Sequence, residues 1–415
     1  AFLRAHQDQA VIIACGTALD TLYHAGIKPD FYACTERTPE IAQTLDAIPD
    51  QDFINSLTLI AGDVVHPNTQ KHFKHTAIFG KPDEAFFWLS QVHGFLKKLR
   101  SVNVMNPIVG NLGVSAALGL GFERIYLFGL DNGKPHECNN MHSQFTATYN
   151  EHGINDNQGN YDLKKGIMLP GNFGGNVASN YIFSLANRHM ELVISLYKKL
   201  NSKLQIYNCS GGARIDGALA QHSDELTFAN FPNIDKQALM NFIHQDMSFD
   251  LSLTEDDCKK WCSPLLFEKA CNELSKLWDN CPVSRVDFVK QLEKTSELLW
   301  TLSSSIQTRF AACLLEGTVQ TIFIMALNAL YHLGNEDQAV LTAYKVIKCF
   351  KNFLDDAKKL FELLPNYILG EHRHLLNGRL GFDHEESKAP LLAPLHRFYP
   401  QTPHDQCKVF KKRYS

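Results

Sequence analysis

Hydrophobic and polar positions divide the chain into two parts with different periods. Up to about residue 215, short apolar runs, many of them β-branched, alternate with stretches of helical spacing, a pattern typical of a parallel sheet covered on both faces. The runs predict strands at Ala10–Ala14, Phe31–Cys34, Leu57–Ala61, Thr76–Phe79, Arg124–Phe128 and Leu204–Tyr207. The stretches between them predict helices at Ala18–Ala25, Pro39–Ala47, Asn68–Lys74, Ala85–Leu99, Leu112–Leu120 and Ala178–Leu200.

After Ala220 the strand-like runs end, and apolar residues recur every three or four positions, as on one face of a helix. Four prolines interrupt the chain after Asp383, so regular structure is not expected there. We therefore predict an α/β fold with a Rossmann-like, mostly parallel sheet over residues 1–225. An all-helical C-terminal domain over 226–382 and an irregular tail over 383–415 would follow.

Composition narrows the class of protein. The chain has 415 residues, which favours two domains, each large enough to fold without disulfide or metal support. Lys and Arg total 40 against 44 Asp and Glu, and no long basic run interleaved with aromatics occurs, so we expect no nucleic-acid partner. The most apolar stretch, Ile322–Leu333, is too short to span a bilayer and predicts a buried helix, so we expect no membrane partner.

Cysteine usage and the first residues bear on the compartment. Eleven cysteines, an odd number without a regular framework, fit a reducing environment. Residues 1–9 lack the basic opening and hydrophobic centre of a signal peptide, so we expect a cytoplasmic protein. Cys258 and Cys262 stand four apart, but no second Cys or His pair at zinc-finger spacing follows them, and we predict no metal site.

The strand at Arg124–Phe128 is followed by a glycine and then a carboxylate, Gly129 and Asp131. Open α/β folds bind ligands at the carboxyl edge of the sheet, so Asp131 is the first candidate for a functional residue. Glu36 follows the second strand and would lie at the same edge. It could accept hydrogen bonds from ribose or sugar hydroxyls, or it could pair with a neighbouring cation.

Glycine-rich segments at strand ends and helix starts predict places where backbone N–H groups could meet an anion. They contain Gly16 and Thr17 after the first strand, Gly110 and Asn111 at a helix start, Asn172 before the helix at Ala178, and Ser210 and Gly211 after the last strand. Each has a simpler alternative, since a glycine can make a tight turn and Asn111 can cap a helix. Their recurrence favours a ligand site.

Histidine is the side chain best suited to proton transfer near neutral pH. Two of the 18 histidines, His136 and His142, lie in the polar stretch after Asp131, and His142 is the candidate base, with an exposed histidine of no function as the alternative. The dinucleotide fingerprint Gly-x-Gly-x-x-Gly is absent after the first strand, and no Gly-Lys-Ser/Thr loop occurs. NAD enzymes and P-loop kinases are therefore disfavoured.

Three segments stand together in a recognisable order: Cys15-Gly-Thr-Ala-Leu-Asp, then Gly110-Asn-Leu-Gly-Val with Arg124-Ile-Tyr-Leu-Phe-Gly-Leu-Asp, then Asn208-Cys-Ser-Gly-Gly-Ala-Arg. As a set they resemble the Maf (motility-associated factor) flagellin glycosyltransferases over residues 1 to about 220. That family is thought to move nonulosonic, sialic-acid-like sugars from CMP to Ser or Thr of flagellin. Its central domain is similar to bacterial sialyltransferases.

The resemblance implies a CMP-sugar donor, flagellin as protein partner, and no further cofactor or metal, because CMP leaves as a monophosphate that amides and hydroxyls can neutralise. It implies a histidine base, for which His142 is the nearest analogue in this sequence. The helical domain would dock flagellin. By the same resemblance, the residues lining the CMP site would be Val109, Gly110, Asn111, Gly129 and Asp131.

The chain departs from the family at two points. Members usually carry a Gly-Pro-Ser-Leu loop shortly before the equivalent of Ala10, and this chain begins too late to contain it, so either the chain is a fragment or the loop is lost. Asp131-Asn-Gly stands where the family tends to have Asp-Leu-Ala, so the donor sugar does not carry over. Two alternatives stay open: a pterin pyrophosphokinase-like enzyme, which would need Mg²⁺, ATP and clustered carboxylates, and a non-catalytic flagellar adaptor.

Overall fold

The computed structural model describes residues 2–38, 40–82, 84–92, 100–134, 146, 166–228, 233–247, 254, 256, 259–260 and 264–365. These residues form two compact units. The first contains the chain up to Lys81 and from Arg100 to Asp250, and the second contains Pro82–Leu99 and the chain from Leu251 onward. The second unit thus takes a helix from the middle of the α/β region, which the sequence pattern had placed within residues 1–225.

The first unit is built on parallel strands, as the sequence predicts. Its strands are β1 Ile13–Cys15, β2 Phe31–Cys34, β3 Thr58–Gly62, β4 His75–Phe79, β5 Arg124–Leu127, β6 Ile167–Pro170, β7 Asn176–Ser179, β8 Gln205–Asn208 and β9 Leu219–Ala220. The order β1-β2-β3-β4 forms one wholly parallel sheet, and β5-β8-β9 forms a second parallel group. The predicted α/β class is confirmed.

Helices cover the sheet and connect its strands. In the first unit they are α1 Phe2–His6, α2 Ala18–His24, α3 Glu40–Asp46, α4 Gln51–Asn55, α5 Pro67–Gln70, α7 Val109–Gly119, α8 Tyr181–Leu200 and α9 Lys236–Gln245. In the second unit they are α6 Ala85–Val92, α10 Pro264–Lys276, α11 Arg285–Ser304, α12 Arg309–His332 and α13 Glu336–Glu362.

Strand β2 shows how the first unit buries both faces of its sheet. Its four residues are all buried. Phe31 and Ala33 pack in a cluster that includes Leu112 and Ala116 of α7, together with Ile243 of α9. The other two β2 residues, Tyr32 and Cys34, pack in a separate cluster with side chains of α2 to α4. This is the alternation a pleated strand requires when helices lie on both faces.

The antiparallel hairpin of β6 and β7 is absent from the sequence prediction. Its strands are four residues long and alternate poorly, because three of the four β6 residues are exposed. The segment around Asn172 therefore forms a hairpin turn, and the prediction that it opens a helix at Ala178 is wrong. Helix α8 begins at Tyr181 and is capped by Asn180, whose side chain accepts a hydrogen bond from the Phe183 N–H at 2.8 Å.

In the part of the second unit that the structure describes, the helices pack around two apolar clusters. Trp278 is wholly buried and donates its indole N–H to Thr295 Oγ1 at 3.1 Å. Helix α12, which contains most of the stretch predicted to be too short for a bilayer, has 24 residues and is long and apolar enough to cross one by length and composition alone. It is also a core helix, because Phe310, Val319 and Leu330 are buried among its neighbours.

Candidate functional site

The turn after β1 lies against the start of α7. Gly16 has a φ of +53°, a conformation that favours glycine, and its N–H donates to the Ala33 carbonyl at 3.0 Å. A Cβ on Gly16 would lie 3.0 Å from Val109 Cγ1. Thr17 follows at the start of α2 and makes no side-chain capping bond there. Gly16 and Val109 thus come together at the carboxyl end of β1, with Thr17 next in the chain, and their predicted contact with a nucleotide stays a prediction.

The N-terminus of α7 is not capped by a side chain. Its N-cap residue is Ile108, and no side-chain capping bond is formed there. Asn111 is wholly buried, and its Nδ2 donates to the Ala186 carbonyl of α8 at 2.9 Å, while its Oδ1 has no hydrogen-bond partner among the described residues. The alternative that Asn111 caps α7 is therefore wrong, because its side chain instead links α7 to α8. The apolar side chain of Ile108 supplies no acceptor to the first N–H groups of α7, and the Asn111 N–H donates to the Ile108 carbonyl at 2.9 Å.

Gly110, in the first turn of α7, allows close packing around this helix. A Cβ placed on it would collide with Leu130 Cδ2 and lie 3.3 Å from Met190 Cε of α8. Close approach is thus required, as the small residues in this segment suggested, but the approaching groups are Leu130 and α8. A bulky residue at Gly110 would disturb the fold before it could obstruct a ligand.

Asp131 binds the glycine segment after β8. Its carboxylate lies near the backbone N–H groups of Gly211 and Gly212, which favour its charged form. Burial raises the pKa of the Asp131 carboxyl, and the charge of Lys134 and the two N–H groups oppose that rise. The Asp131 carbonyl also accepts from the Ala213 N–H at 2.6 Å. Two candidates that the sequence placed separately, Asp131 and Gly211, are therefore neighbours in the structure.

Ser210 is buried after β8 and links this end of the strand to the chain that follows β5. It is 3% exposed, and its Oγ accepts a hydrogen bond from the Leu130 N–H at 3.0 Å. Its own N–H donates to Asn208 Oδ1 at 3.0 Å. The hydroxyl therefore fixes the chain next to Asp131, and its predicted contact with a nucleotide stays a prediction.

Asn172 anchors the hairpin turn to the same segment. Its Nδ2 donates to the carbonyls of Asn208 and Ser210, each at 2.9 Å, and its N–H donates to the Gly212 carbonyl at 2.9 Å. The side chain is buried, and in the part of the chain that the structure describes its Oδ1 has no hydrogen-bond partner. The structure thus brings Asn172 beside Ser210 and Gly211, as residues of one site, through contacts within the protein.

The remaining candidates are less tied to this arrangement. Gly129 is exposed, has a φ of +67° and leads the chain out of β5. Glu36 is exposed after β2, and its carbonyl accepts from the His66 N–H at 3.3 Å. His136 and His142 lie outside the described residues, as do Cys258 and Cys262, so the proton-transfer role of His142 stays a prediction.

Three residues that sequence reasoning missed lie at this edge of the first unit. The positive charge of Lys134 lowers the pKa of the Asp131 carboxyl, against the effect of burial. Phe173, at the tip of the hairpin turn, stacks on His222 with ring centroids 3.8 Å apart and an angle of 13° between the planes. The signal for Phe173 was an aromatic residue between glycines. The signal for His222 was weak, because the strand before it, β9, has only two residues.

These contacts define a polar edge made of two parts that meet at Leu130. One part is the α7 N-terminus with Gly16 and Thr17. The other is the contact of Asp131 with the backbone of Gly212 and Ala213 after β8, which we call the clasp. Within the residues that the structure describes, no three His, Cys, Asp or Glu side chains gather as a metal site would require. Backbone N–H groups at an uncapped helix start can bind a phosphate without a metal.

Comparisons with known proteins agree with this description at the level of the fold. A profile of the family described as 6-hydroxymethylpterin diphosphokinase MptE-like matches residues 1–137. The structure of a Maf glycosyltransferase from Magnetospirillum magneticum AMB-1 is similar with a TM-score of 0.61 and 20% sequence identity. The match covers 96% of this chain and 56% of that protein, so this chain spans little more than half of its length. No curated protein sequence matches the chain. The chain therefore shares the fold of that Maf protein.

Proposed function

We propose that the chain is a glycosyltransferase that moves a nonulosonic, sialic-acid-like sugar from a CMP donor to Ser or Thr of flagellin, in the cytoplasm and in support of motility. The fold shared with a Maf glycosyltransferase supports the reaction class. The motifs over residues 15–31, 110–131 and 208–217 support the donor and the acceptor by resemblance. The helical second unit would dock flagellin, since the candidate residues all belong to the first unit or lie outside the described residues.

The observation that carries the proposal is the uncapped start of α7 beside Gly16 and Thr17. A helix N-terminus offers N–H donors and the positive end of the helix dipole to an anion. Here it stands at the carboxyl end of β1, where open α/β folds bind nucleotides. We assign the CMP phosphate to this position. The amides of Gly211 and Gly212 are less suited, because the Asp131 carboxylate lies beside them and its charge would repel an anion.

The transfer itself needs a base and a leaving group. In the proposed step, a histidine takes the proton of the acceptor hydroxyl, and the resulting oxygen attacks the anomeric carbon of the sugar. The bond from that carbon to the phosphate oxygen breaks, and CMP leaves as a monophosphate whose charge the α7 amides and the Thr17 hydroxyl stabilise. His142 is our candidate for the base.

A pterin diphosphokinase is the second candidate, and the MptE-like profile over residues 1–137 favours it. That enzyme would bind ATP with Mg²⁺ and a pterin, whereas a CMP-dependent transferase would bind CMP. A thermal-shift screen with CMP, CDP, UDP, and ATP plus Mg²⁺ separates the two. We expect CMP to raise the melting temperature most. A response to ATP and a pterin alone would replace the proposal with the diphosphokinase, and no response to any nucleotide would favour an adaptor.

A charge placed beside the α7 N-terminus tests the phosphate position. Asp and Asn are equally good at helix starts, so Thr17→Asp and Thr17→Asn form a matched pair that differs in charge alone. We expect Thr17→Asp to weaken CMP binding at least about tenfold, or about 1.4 kcal/mol, through repulsion of the phosphate. Thr17→Asn should bind CMP within about threefold of the wild type by calorimetry. Equal affinities of the two variants would place the phosphate elsewhere.

A further inference from the structure

The tip of the β6–β7 hairpin presents an aromatic ring that the fold does not bury. Phe173 is 42% exposed, although it follows the buried Asn172 directly. The turn that carries it closes through Gly174 and Gly175, whose φ angles of +100° and +66° favour glycine. An exposed phenyl ring on its own is common at protein surfaces. The surroundings of this ring distinguish it.

The turn is held in place on both sides of Phe173. Asn172 donates three hydrogen bonds to the last residue of β8 and to the segment after it, all at 2.9 Å. On the hairpin itself, the Gly171 N–H donates to the Gly175 carbonyl at 2.9 Å, and the Arg214 N–H donates to the Pro170 carbonyl at 2.8 Å. The backbone of Phe173 is therefore fixed before any ligand arrives, which lowers the entropy cost of a contact made by its ring.

One face of the Phe173 ring is already covered. His222 lies parallel to it at a centroid distance of 3.8 Å and an interplanar angle of 13°. His222 is in turn positioned by its neighbour Gln221, whose N–H donates to the Asn208 carbonyl at 3.1 Å. The exposed part of Phe173 thus lies on the portions of the ring that His222 leaves uncovered. A fixed ring, backed on one face, is the arrangement of a stacking surface.

The position of this pair indicates what would stack on it. The Asn172 N–H, next to Phe173, donates to the carbonyl of Gly212, and the N–H of the following residue, Ala213, donates to the Asp131 carbonyl beyond the end of β5. The pair therefore belongs to the edge to which we assign the nucleotide. Resting on that assignment, we infer that Phe173, backed by His222, stacks on the planar base of the donor nucleotide. Every nucleobase has a π face, and such a contact is sequence-tolerant.

Phe173→Ala tests the inference, with two ligands. Base–aromatic stacking contributes enough that its loss should weaken CMP binding by about 5- to 150-fold. Ribose 5-phosphate has no base, so its affinity, followed by NMR titration, should stay within about twofold of the wild type. Phe173→Trp should restore CMP binding. His222→Ala should weaken it less than Phe173→Ala, because only the backing of the ring is removed.

Phe242→Ala is the matched control, since Phe242 is a phenylalanine of the first unit with a similar exposure of 52%. It should bind CMP as the wild type does. Equal losses for CMP and ribose 5-phosphate in Phe173→Ala would mean that the ring only supports the turn, and would overturn the inference. Unchanged CMP binding in Phe173→Ala would also overturn it, while leaving the proposed function intact. A wild-type protein that does not bind CMP would overturn both.

Discussion

The glycine-rich segment at the start of α7 and the one after β8 look alike in the sequence, yet they differ in the space around them. In α7, a Cβ on Gly110 would collide with Leu130, and one on Gly113 would collide with Cys15 Sγ. After β8, a Cβ on Gly211 would have no heavy atom within 4 Å, whereas one on Gly212 would collide with the backbone of Asp131. The first segment is closed by packing, and the second has one open and one closed position.

This difference separates two uses of glycine that a sequence cannot distinguish. The glycines of α7 let a helix approach Leu130, Cys15 and α8, so they serve the core. Gly212 lets the chain approach Asp131 and so completes the clasp between β5 and β8. Gly211, its direct neighbour, meets no steric constraint from the residues that the structure describes. Of the segments compared, only the second therefore has a glycine that a substituent could probe without damage.

The largest effect is expected at Gly212. In Gly212→Ala, the new Cβ meets the Asp131 carbonyl oxygen and Cα, which belong to the backbone and cannot rotate away. We expect the free energy of unfolding to fall by about 3–5 kcal/mol, a loss typical of disrupted buried contacts. Urea unfolding followed by circular dichroism measures it. A loss below about 1 kcal/mol would show that the clasp can open, and would remove the distinction between the two neighbouring glycines.

A smaller loss is expected at Gly110. The atoms that a Cβ would meet there are the ends of two side chains, Leu130 Cδ2 and Met190 Cε, which can move by changing rotamer. Overpacking of this kind costs about 1–3 kcal/mol. Gly110→Ala should therefore unfold at lower urea concentration than the wild type but at higher concentration than Gly212→Ala. Leu130→Ala, combined with Gly110→Ala, should recover part of the stability lost by the glycine substitution alone. Strict additivity of the two losses would contradict the proposed collision.

The clasp also predicts a dependence on pH. Because burial raises the pKa of the Asp131 carboxyl, the folded protein binds its proton more tightly than the unfolded chain does. This contribution favours folding at acid pH and is lost as the pH rises through the raised pKa, above the ordinary value of 3.8. Asp131→Asn has no such proton. The stability of the wild type relative to Asp131→Asn should therefore be greater near pH 4 than at pH 7. A pH-independent difference between the two unfolding curves would count against the burial of this carboxylate.

Much of the first unit could be predicted from the sequence, because buried parallel strands leave continuous apolar runs. The observed β2 matches its prediction residue for residue, and β3, β4, β5 and β8 lie within one residue of theirs. The β6–β7 hairpin could not be predicted in this way, since its strands are short and mostly exposed on β6. The place of α6 in the helical unit was also hidden, because tertiary packing and not local periodicity decides it.

The candidate site was predictable in position but not in its internal contacts. Parallel strand ends share one edge, and this placed Asp131, Ser210 and Gly211 together. The sequence could not show that Asp131 packs against the backbone of Gly212 and Ala213, or that Asn111 faces α8, because a polar side chain near a glycine turn can serve a ligand or the fold equally well. Those roles depend on distances that no residue spacing encodes.

The smallest effect is expected at Gly211, and it sharpens the comparison most. A Cβ there meets nothing within 4 Å, and the backbone is not in the left-handed region, so Gly211→Ala should change the free energy of unfolding by less than about 0.5 kcal/mol. The same neutrality should extend to Gly211→Leu, whose side chain would project from the edge of the sheet. Gly317→Leu, at another exposed glycine with open space, controls for general effects of an added apolar side chain. If Gly211→Leu destabilises the protein by more than 1 kcal/mol while Gly317→Leu does not, the position is closed by packing like Gly110. If Gly211→Leu instead folds normally, the edge beside Asp131 has room for a ligand. Calorimetry with CMP on this variant then reports how near the nucleotide comes to the clasp.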